Sequence, residues 1–324
     1  MLVLGLNGSP RRRGNSAYLM KTFLAEAARY GVRTHNVVVD RQNVLPCKEY
    51  TVCETKGTCP IDDDMAREIY GLIREAEVIV TASPIFFYNM TAQLKALVDR
   101  CQLFWARKYR LKLRDPLAKT RVGFLLGVGA TKGKQLFEPM ELSTKYFYDA
   151  ICARWAGSLT YRGMEGANAL QTHPGVAEDV AREVKKLIGP LAGRRRVLFV
   201  GRANAGISQL AAAWAQKLFG DKLMVASAGT EPAPTLHASV VNSMAEKGVD
   251  LMFLRPRDLT TTVEGFQPDL VVATSAGIQL PKLSNARAVT WDSPQTLPDD
   301  PAGMAEARDA VEKKVAKLLA DFLG

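Results

Sequence analysis

Short runs of apolar, mostly β-branched residues alternate with longer segments of helical periodicity along the whole chain. Buried parallel strands that alternate with amphipathic helices are typical of sheets covered by helices on both faces. The pattern therefore predicts an α/β fold built from doubly wound parallel sheets. In the first part of the chain the predicted strands are 2–7, 34–39, 78–83, 122–127 and 158–161, and the predicted helices are 16–30, 64–75, 92–104, 134–153 and 176–188.

The stretch 189–196, Gly-Pro-Leu-Ala-Gly-Arg-Arg-Arg, interrupts this alternation with glycine, proline and a basic run. Such punctuation is typical of an exposed linker between domains. The alternation then resumes, with strands predicted at 197–201, 224–227 and 270–274 and helices at 208–219, 238–247 and 303–322. We therefore expect two doubly wound domains, one over residues 1–191 and a second over residues 195–324.

The composition is that of an ordinary globular protein, with 324 residues of which 47% are hydrophobic and 23% charged. These values exclude disordered, collagenous and coiled-coil classes. No apolar run approaches the ~20 residues of a membrane span, and no basic segment precedes an apolar one at the amino terminus. Five cysteines are too few for a secreted disulfide scaffold. We therefore expect a cytoplasmic protein with reduced thiols and no membrane partner.

The net charge of +10 lies mostly in the first domain, where residues up to 193 include 28 Lys and Arg against 19 Asp and Glu. Basic surface of this kind attracts anions such as phosphorylated cofactors. A solvated basic loop or the rim of a subunit interface is the simpler interpretation, and no nucleic-acid motif accompanies the charge. We therefore expect no nucleic-acid partner. The densest basic run comprises Arg107, Lys108, Arg110, Lys112, Arg114, Lys119 and Arg121.

A loop with the properties of a phosphate cradle follows the first predicted strand. It reads Asn-Gly-Ser-Pro-Arg-Arg-Arg-Gly-Asn-Ser over residues 7–16 and leads into a helix. Backbone N–H groups, hydroxyls and the positive end of the helix dipole can converge there on an anion. The loop lacks the Gly-Lys-Ser/Thr ending of a nucleotide P-loop and the spacing of the dinucleotide fingerprint, which argues against ATP and a classical NAD site. An ordinary helix cap with exposed arginines is the alternative.

Two further loops are expected at the same edge of the sheet, because ligands of doubly wound sheets lie beyond the carboxyl ends of the strands. Residues 83–90, Ser-Pro-Ile-Phe-Phe-Tyr-Asn-Met, offer aromatic rings and backbone amides. Residues 127–133, Gly-Val-Gly-Ala-Thr-Lys-Gly, would let the backbone approach a flat ring. Together the three loops predict a site for a phosphate at one end and a planar heterocycle at the other.

Three ordered motifs occur in the first part of the chain: Gly8-Ser-Pro-Arg…Gly-Asn-Ser16, Cys59-Pro-Ile-Asp-Asp-Asp-Met65, and Ser83-Pro-Ile-Phe-Phe-Tyr-Asn89…Leu94-Lys-Ala-Leu-Val-Asp-Arg100. By these motifs, residues 1–190 resemble the NADPH-dependent FMN reductase family of flavodoxin-like proteins, especially its iron-sulfur flavoprotein branch. The resemblance implies FMN bound noncovalently, NAD(P)H as the electron donor, and a small acceptor such as a flavin, a quinone or a metal. It also implies a homodimer or homotetramer.

The same resemblance assigns residues to the flavin. No catalytic side chain is assigned, because hydride transfer to a flavin requires no general acid or base. An FMN-carrying electron-transfer or sensor protein, without significant direct turnover of NAD(P)H, is the alternative. The assigned residues are Ser9, Arg11, Arg13, Asn15 and Ser16 in the first loop, and Pro84, Ile85, Phe86, Phe87, Tyr88, Asn89, Gly127 and Gly129 in the other two.

Cys47, Cys53 and Cys59 are each six positions apart, and thiolates so placed could ligate a soft metal or an iron-sulfur cluster. The iron-sulfur branch has a Cys-x2-Cys-x2-Cys run followed by a fourth cysteine, whereas Tyr50 stands here in the second place. We therefore expect no iron-sulfur cluster and no metal site; the thiols are structural or free, with another metal or a redox pair as alternatives. The run 62–64, Asp-Asp-Asp, is expected to cap a helix.

The second part of the chain contains Val-Leu-Phe-Val-Gly-Arg-Ala-Asn-Ala-Gly-Ile-Ser at 197–208, followed by the segments 227–232 and 291–301. By these segments, residues 195–324 resemble the low-molecular-weight protein tyrosine phosphatase and arsenate reductase family. That family's loop has a cysteine nucleophile where Gly201 stands and an arginine where Ile207 stands. Glycine cannot attack and isoleucine cannot clamp a phosphoryl group. Asp299 or Asp300, in the place of the general acid, would have no leaving group to protonate.

This second domain is therefore expected to be a pseudophosphatase, a catalytically inactive fold retained for binding or assembly. Its loop backbone and Ser208 could still hold an anion weakly, with Arg202 as a nearby charge.

Overall fold

In the computed structural model, residues 1–281, 283, 286–292, 296–298 and 300–324 are described. Asp299 lies outside this part of the chain. The contacts divide the protein into two compact units: the first comprises Met1–Lys112 and Thr120–Ala192, and the second Leu113–Lys119 and Gly193–Gly324.

The first unit contains a five-stranded parallel sheet with the order β2-β1-β3-β4-β5. The central strands are buried along almost their whole length because helices cover both faces, which accounts for their continuous apolar runs. The strand order changes direction at β1, so the loops after β1 and β3 are neighbours at the carboxyl edge. The α/β fold is confirmed. The strands are β1 (Leu2–Asn7), β2 (Arg33–Val38), β3 (Val78–Pro84), β4 (Val122–Val128) and β5 (Arg154–Tyr161).

The helices of this unit pack on the two faces of the sheet. On one face the side chains of Phe23 and Phe124 stack with ring centroids 5.9 Å apart, within a core shared by the first and last helices. A π-helical turn, Met65–Ile69, precedes the third helix. The helices are α1 (Asn15–Ala28), α2 (Val52–Lys56), α3 (Tyr70–Glu75), α4 (Ala92–Arg100), α5 (Gln102–Tyr109), α6 (Glu138–Ala150) and α7 (Val176–Ala192).

Some local expectations differ from the structure. The single helix predicted over 92–104 is two helices that meet at Cys101. The predicted linker is shorter than expected, because α7 continues through Pro190 to Ala192. A proline in the last turn removes one helical hydrogen bond, and here Leu191 and Ala192 still pack against the core.

The second unit contains a four-stranded parallel sheet with the order β7-β6-β8-β9. Its core includes Trp214, which is buried, and the neighbouring rings of Phe199 and Trp291, whose centroids lie 5.8 Å apart. The sequence pattern predicted neither β9 nor α10, because β9 is four residues long and mostly exposed, while α10 is rich in threonine. The elements are β6 (Arg195–Gly201), α8 (Ile207–Phe219), β7 (Leu223–Gly229), α9 (Ala238–Glu246), α10 (Leu259–Phe266), β8 (Leu270–Ala273), β9 (Arg287–Thr290) and α11 (Pro301–Leu323).

The second unit also includes a segment from between α5 and β4. The backbone N–H of Arg114 donates to the carbonyl of Gly248 over 2.9 Å, and the N–H of Asp250 donates to the carbonyl of Arg114 over 2.9 Å. Residues 113–119 therefore belong to the second compact unit although they precede the last two strands of the first sheet in the chain. The predicted domains, 1–191 and 195–324, are each continuous, so they do not assign residues 113–119 to the second unit.

The expectation that residues 107–121 form basic surface is wrong for two of its arginines. Arg107 and Arg121 are only 4% and 1% exposed. Arg121 donates to the carbonyls of Ala76 and Ile151, each over 2.8 Å, and Arg107 donates to the carbonyl of Gly57 over 2.7 Å. A guanidinium offers five donors, which suits it to satisfying carbonyls at the ends of helices and loops.

Among the described residues, no helix is long and apolar enough to cross a membrane.

Candidate functional site

The first loop turns sharply between β1 and α1. The N–H of Ser9 donates to Asn7 Oδ1 over 3.0 Å, and the Ser9 hydroxyl donates to the carbonyl of Arg11 over 3.0 Å. The same carbonyl accepts from the N–H of Gly14 over 3.2 Å. Ser9 is buried, whereas the three arginines at 11–13 are exposed. The loop is therefore a compact turn with a buried serine and a cationic rim.

The amino terminus of α1 has no side-chain cap. Gly14 occupies the cap position and offers no side chain to the first N–H groups of the helix. Ser16, in the first turn, is 2% exposed, and within the described part of the chain its hydroxyl has no hydrogen-bond partner. Free N–H groups and a buried hydroxyl at the positive end of a helix fit a phosphate.

The side chain of Asn15 is hydrogen-bonded within the protein. Its Nδ2 donates to the carbonyl of Gly166 over 2.7 Å, and its Oδ1 accepts from the N–H of Leu170 over 3.1 Å. The amide therefore holds the segment that follows β5, and a phosphate contact from Asn15 would come from its backbone N–H. Its role toward FMN stays a prediction.

The second loop, after Pro84 and the half-buried Ile85, is a tight hairpin turn of aromatic residues. Phe86 and Asn89 exchange backbone hydrogen bonds of 2.8 and 3.0 Å. Phe87 and Tyr88, the two residues between them, have φ values of 48° and 64°. Such left-handed pairs are usually Asn-Gly, and aromatic residues there are strained. Phe87 is also fully exposed, at 102%.

Thr91, which sequence reasoning missed, ties the first two loops together. Its hydroxyl donates to the carbonyl of Gly8 over 2.8 Å, and its N–H donates to the hydroxyl of Ser83 over 3.1 Å. The N–H of Gly8 donates in turn to the carbonyl of Ala82 over 2.8 Å. Thr91 is fully buried and also caps α4, so a threonine before a helical pattern was the available sequence signal.

The third loop meets the second at Tyr88, since a Cβ placed on Gly133 would lie 3.0 Å from the Tyr88 hydroxyl. The two glycines assigned to the flavin ring have a packing reason in the structure. A Cβ on Gly127 would lie 3.0 Å from Phe137, and one on Gly129 would lie 2.5 Å from Leu136. Their contact with a flat ring stays a prediction, but the three loops do converge at one edge of the sheet.

The segment that carries three cysteines is anchored by buried arginines. Asp63, which is 0% exposed, accepts from the N–H groups of Leu45 and Met65 over 2.9 and 3.1 Å and from the guanidinium of Arg100. Arg100 also donates to the carbonyl of Leu45 over 2.9 Å. The aspartate run thus does more than cap a helix, because Asp63 fixes both ends of the segment 45–63.

The thiols of this segment differ in their surroundings. Cys47 is exposed, whereas Cys53 and Cys59 are half-buried. Burial raises the pKa of the Cys53 thiol, and the neighbouring Cys47 and Cys59 thiols raise it further. Of the other two cysteines, Cys101 is buried, and Cys152 lies beyond α6 with a φ of 57°.

The segment 45–63 offers three thiols and one phenol as donors for an iron-sulfur cluster. Tyr50 is 53% exposed and supplies a phenol at the position of the second of the four cysteines. Over the described ranges, no group of three His, Cys, Asp or Glu side chains is arranged to hold a metal ion. Three thiols and a phenol do not fit a four-cysteine cluster.

In the second domain, hydrogen bonds of Asn204 hold the loop between β6 and α8. Asn204 has a φ of 48°, its Nδ2 donates to Ser208 Oγ over 3.1 Å, and its Oδ1 accepts from the N–H of Arg257 over 2.9 Å. A Cβ placed on Gly201 would lie 2.9 Å from Ser208 Oγ. The loop contains no cysteine, so it has no thiol nucleophile. Asp300 caps α11, accepting from the N–H of Gly303 over 2.8 Å.

Two different protein families match the two parts of the chain. Residues 1–138 match the family NADPH-dependent FMN reductase. An iron-sulfur flavoprotein of Methanosarcina thermophila is 36% identical over 132 residues, which are 41% of this chain and 65% of that protein's length. A solved FMN-dependent NADH-azoreductase from Bacillus anthracis has 12% identity and a TM-score of 0.41, covering 60% of this chain and 100% of the other.

The second domain has its own relatives. Residues 196–322 match the family Low molecular weight phosphotyrosine protein phosphatase. A putative arsenate reductase of Halobacterium salinarum is 33% identical over 134 residues, which are 38% of this chain and 90% of that protein's length. The chain therefore joins an amino-terminal part that matches the NADPH-dependent FMN reductase family model to a carboxyl-terminal part that matches the low molecular weight phosphotyrosine protein phosphatase family model.

Proposed function

We propose that the protein is an FMN-dependent NAD(P)H oxidoreductase that passes electrons to a small acceptor such as a flavin, a quinone or a metal. One observation carries the proposal: the uncapped amino terminus of α1, with the buried hydroxyl of Ser16, lies at the sheet edge where the aromatic turn 86–89 is also held. That arrangement suits a ligand with a phosphate at one end and a planar ring at the other.

FMN, when bound, would supply the redox chemistry, accepting a hydride and releasing electrons singly or in pairs. The residues that would hold its phosphate are Ser9, Ser16 and the first N–H groups of α1, with Arg11 and Arg13 as rim charges. Pro84–Asn89 and the loop from Gly127 to Gly129 would border the ring. The chain's own contribution is to position the ring and to exclude water from it.

The proposal includes a homodimer or homotetramer and a cytoplasmic location. Fully exposed Phe87 and half-exposed Phe86 and Tyr88 support an assembled state, since aromatic surface of this kind is usually covered. Sedimentation of the holoprotein measures the assembly. A monomer at micromolar concentration would contradict this part of the proposal.

The test of the main proposal is a titration of the full chain with FMN, followed by steady-state oxidation of NADH and NADPH with flavin, quinone and ferric acceptors. Tight uptake with turnover supports the oxidoreductase. Uptake with negligible turnover of either nucleotide would favour an electron-transfer or sensor protein instead. No uptake of FMN at excess would refute both.

The second domain is proposed to be catalytically inactive and to serve binding or assembly. The absence of a thiol in the loop 201–208 supports this, because removal of a covalent nucleophile costs on the order of 10⁴ or more in rate. A phosphatase assay on the full chain with p-nitrophenyl phosphate tests it. Turnover that disappears in an Asp300→Asn variant would contradict the proposal.

The cysteine segment is proposed to contain structural or free thiols and no iron-sulfur cluster. The donor set of three thiols and Tyr50 supports this. Iron and sulfide assays on protein purified without oxygen, together with its visible spectrum, test cofactor content in one preparation. Stoichiometric iron and sulfide beside the flavin would contradict this part.

A further inference from the structure

A cavity of about 920 Å³ lies in the second domain, beyond the carboxyl end of β6. The loop 201–208 forms one wall, and residues from 230–237, 258–260 and 274–281 form others. This volume is sufficient for a small organic molecule. The loop lacks the cysteine and the arginine of the related phosphatases, so a phosphatase reaction does not explain what the cavity binds.

The carbonyl groups of the loop turn toward one side. They are those of Gly201, Arg202, Ala203 and Ala205, and they accept from the N–H groups of Thr230, Glu231, Ala233 and His237 over 3.2, 2.9, 2.9 and 3.0 Å. In a trans peptide the N–H points opposite to the preceding carbonyl. The N–H groups at positions 202, 203, 204 and 206 therefore point to the other side of the loop, and none of them has an acceptor within the described chain.

Ser275 is an independent indication of a ligand. It lines the cavity and is 8% exposed, and its hydroxyl has no hydrogen-bond partner among the residues that the structure describes. A hydroxyl on a cavity wall that is not bonded to the protein is free to donate to a ligand or to a water. The cavity thus offers a hydroxyl in addition to the backbone donors.

The charges of the lining decide what kind of anion suits these donors. Arg202 and His237 are the basic side chains of the described lining, and Glu231 and Asp258 are acidic. Position 207, where the related phosphatases have an arginine, carries the apolar Ile207. Arg202 is exposed, so a doubly charged oxyanion would lack a buried guanidinium and would lie near two carboxylates, whereas a single charge can be held by N–H dipoles.

Apolar side chains complete the cavity. Ile207, Leu280 and Leu297 line it beside the loop, and a Cβ on Gly206 would lie 3.2 Å from Leu297. An inorganic anion would leave this apolar surface in contact with water. An organic anion would bury it, which is favourable in proportion to the area covered.

We propose that this cavity binds a small organic carboxylate. Its carboxylate accepts from the N–H groups of the loop and from the Ser275 hydroxyl, and its apolar part lies against Ile207, Leu280 and Leu297. The inference rests on the binding role proposed for the second domain and names the ligand class. No covalent step is involved.

The experiment is a calorimetric or ligand-observed NMR titration of the full chain with three probes: benzoate, benzyl alcohol and inorganic phosphate. Benzoate is expected to bind at least tenfold more tightly than either of the others. A Ser275→Ala variant should weaken benzoate binding several-fold. Ser243→Ala is the matched control, because Ser243 is buried in the same domain, bonds the carbonyl of Val240 and does not line the cavity.

An Ile207→Arg variant tests the reason for the preference. Restoring a cation should raise the affinity for phosphate tenfold or more without improving that for benzyl alcohol. Phosphate binding to the unaltered chain as tightly as benzoate would overturn the ligand class while leaving a binding role intact. No measurable benzoate binding would overturn the inference, and FMN-dependent turnover measured on the same preparation shows separately whether the first domain works.

Discussion

Asp63 and Arg100 form an ion pair that is buried on both sides, with side chains 0% and 1% exposed. Nη1 of Arg100 lies 2.5 Å from Asp63 Oδ2, and Nη2 lies 3.2 Å from Oδ1. Asp63 lies in the motif 59–65 and Arg100 in the motif 94–100, and both motifs carry the resemblance to the FMN reductase family. Their role in the structure is to fasten the cysteine-bearing segment 45–63 to α4.

Removal of one partner should therefore loosen that segment. Arg100→Leu leaves the Asp63 carboxylate buried without its guanidinium, and breaking a buried pair costs roughly 3–5 kcal/mol. We expect a loss of that order, measured by the urea dependence of hydrogen exchange in peptides from 45–63 and α4. Lys95→Ala, which breaks an exposed pair with Asp99 on the same helix, should cost less than about 0.5 kcal/mol. Equal effects of the two variants would contradict this role.

Ser16 should contribute to the affinity for FMN. Its buried hydroxyl has no partner in the described protein, and a hydrogen bond to a charged group contributes roughly 1.5–3 kcal/mol. Ser16→Ala is therefore expected to weaken FMN binding about tenfold or more, measured by fluorescence titration of the apoprotein. Thr22→Ala, in the same helix with a hydroxyl bonded to the carbonyl of Tyr18, should leave binding unchanged. An unaltered affinity in Ser16→Ala would show that the FMN phosphate does not bind at the first turn of α1.

Relief of the backbone strain in the aromatic turn 86–89 should stabilise the turn and weaken FMN binding. Replacing Phe87 by Asn and Tyr88 by Gly relieves two left-handed side-chain residues, each costing roughly 1–2 kcal/mol. We expect slower hydrogen exchange over residues 83–91 together with weaker FMN uptake. Leu142→Ala, at an exposed apolar position on α6, is the control and should change neither quantity. Stabilisation with undiminished uptake would mean that the aromatic rings do not border the flavin.

Tyr161 and Asp179 predict a pH-dependent contribution to stability. The hydrogen bond from the Tyr161 hydroxyl, 2.8 Å long, and that from Arg182, 2.7 Å long, lower the pKa of the Asp179 carboxyl. Because the folded pKa is lowered, the stabilisation is present above the unfolded pKa and is lost as the pH falls through the folded one.

Tyr161→Phe should accordingly destabilise the first domain near neutral pH by about 1 kcal/mol, a value discounted because the carboxyl is partly exposed. The difference from the unaltered protein should shrink as the pH falls below the ordinary range of carboxyl groups. Urea-dependent exchange of α7 peptides at several pH values measures it. A difference that is constant from neutral to acidic pH would exclude the carboxylate as its source.

The periodicity of the chain was sufficient to predict both sheets and most helices. Strand β1 was predicted at its observed bounds, because a fully buried parallel strand reads as an unbroken apolar run. Short or polar elements such as α2, β9 and α10 were missed, since their stability comes from neighbours and not from their own pattern.

Some features of the candidate sites could likewise be predicted from the sequence, and others could not. The sequence by itself determined which loops follow the strands, because the order of elements along the chain follows from local pattern, and it determined that Gly201 and Ile207 carry neither a thiol nor a guanidinium. Only the tertiary structure decided that Thr91 joins two loops, that Asn15 holds the segment after β5, and that Arg107 and Arg121 are buried. Those tasks depend on carbonyls and amides contributed by distant parts of the chain, and their positions are set by packing that no local pattern records.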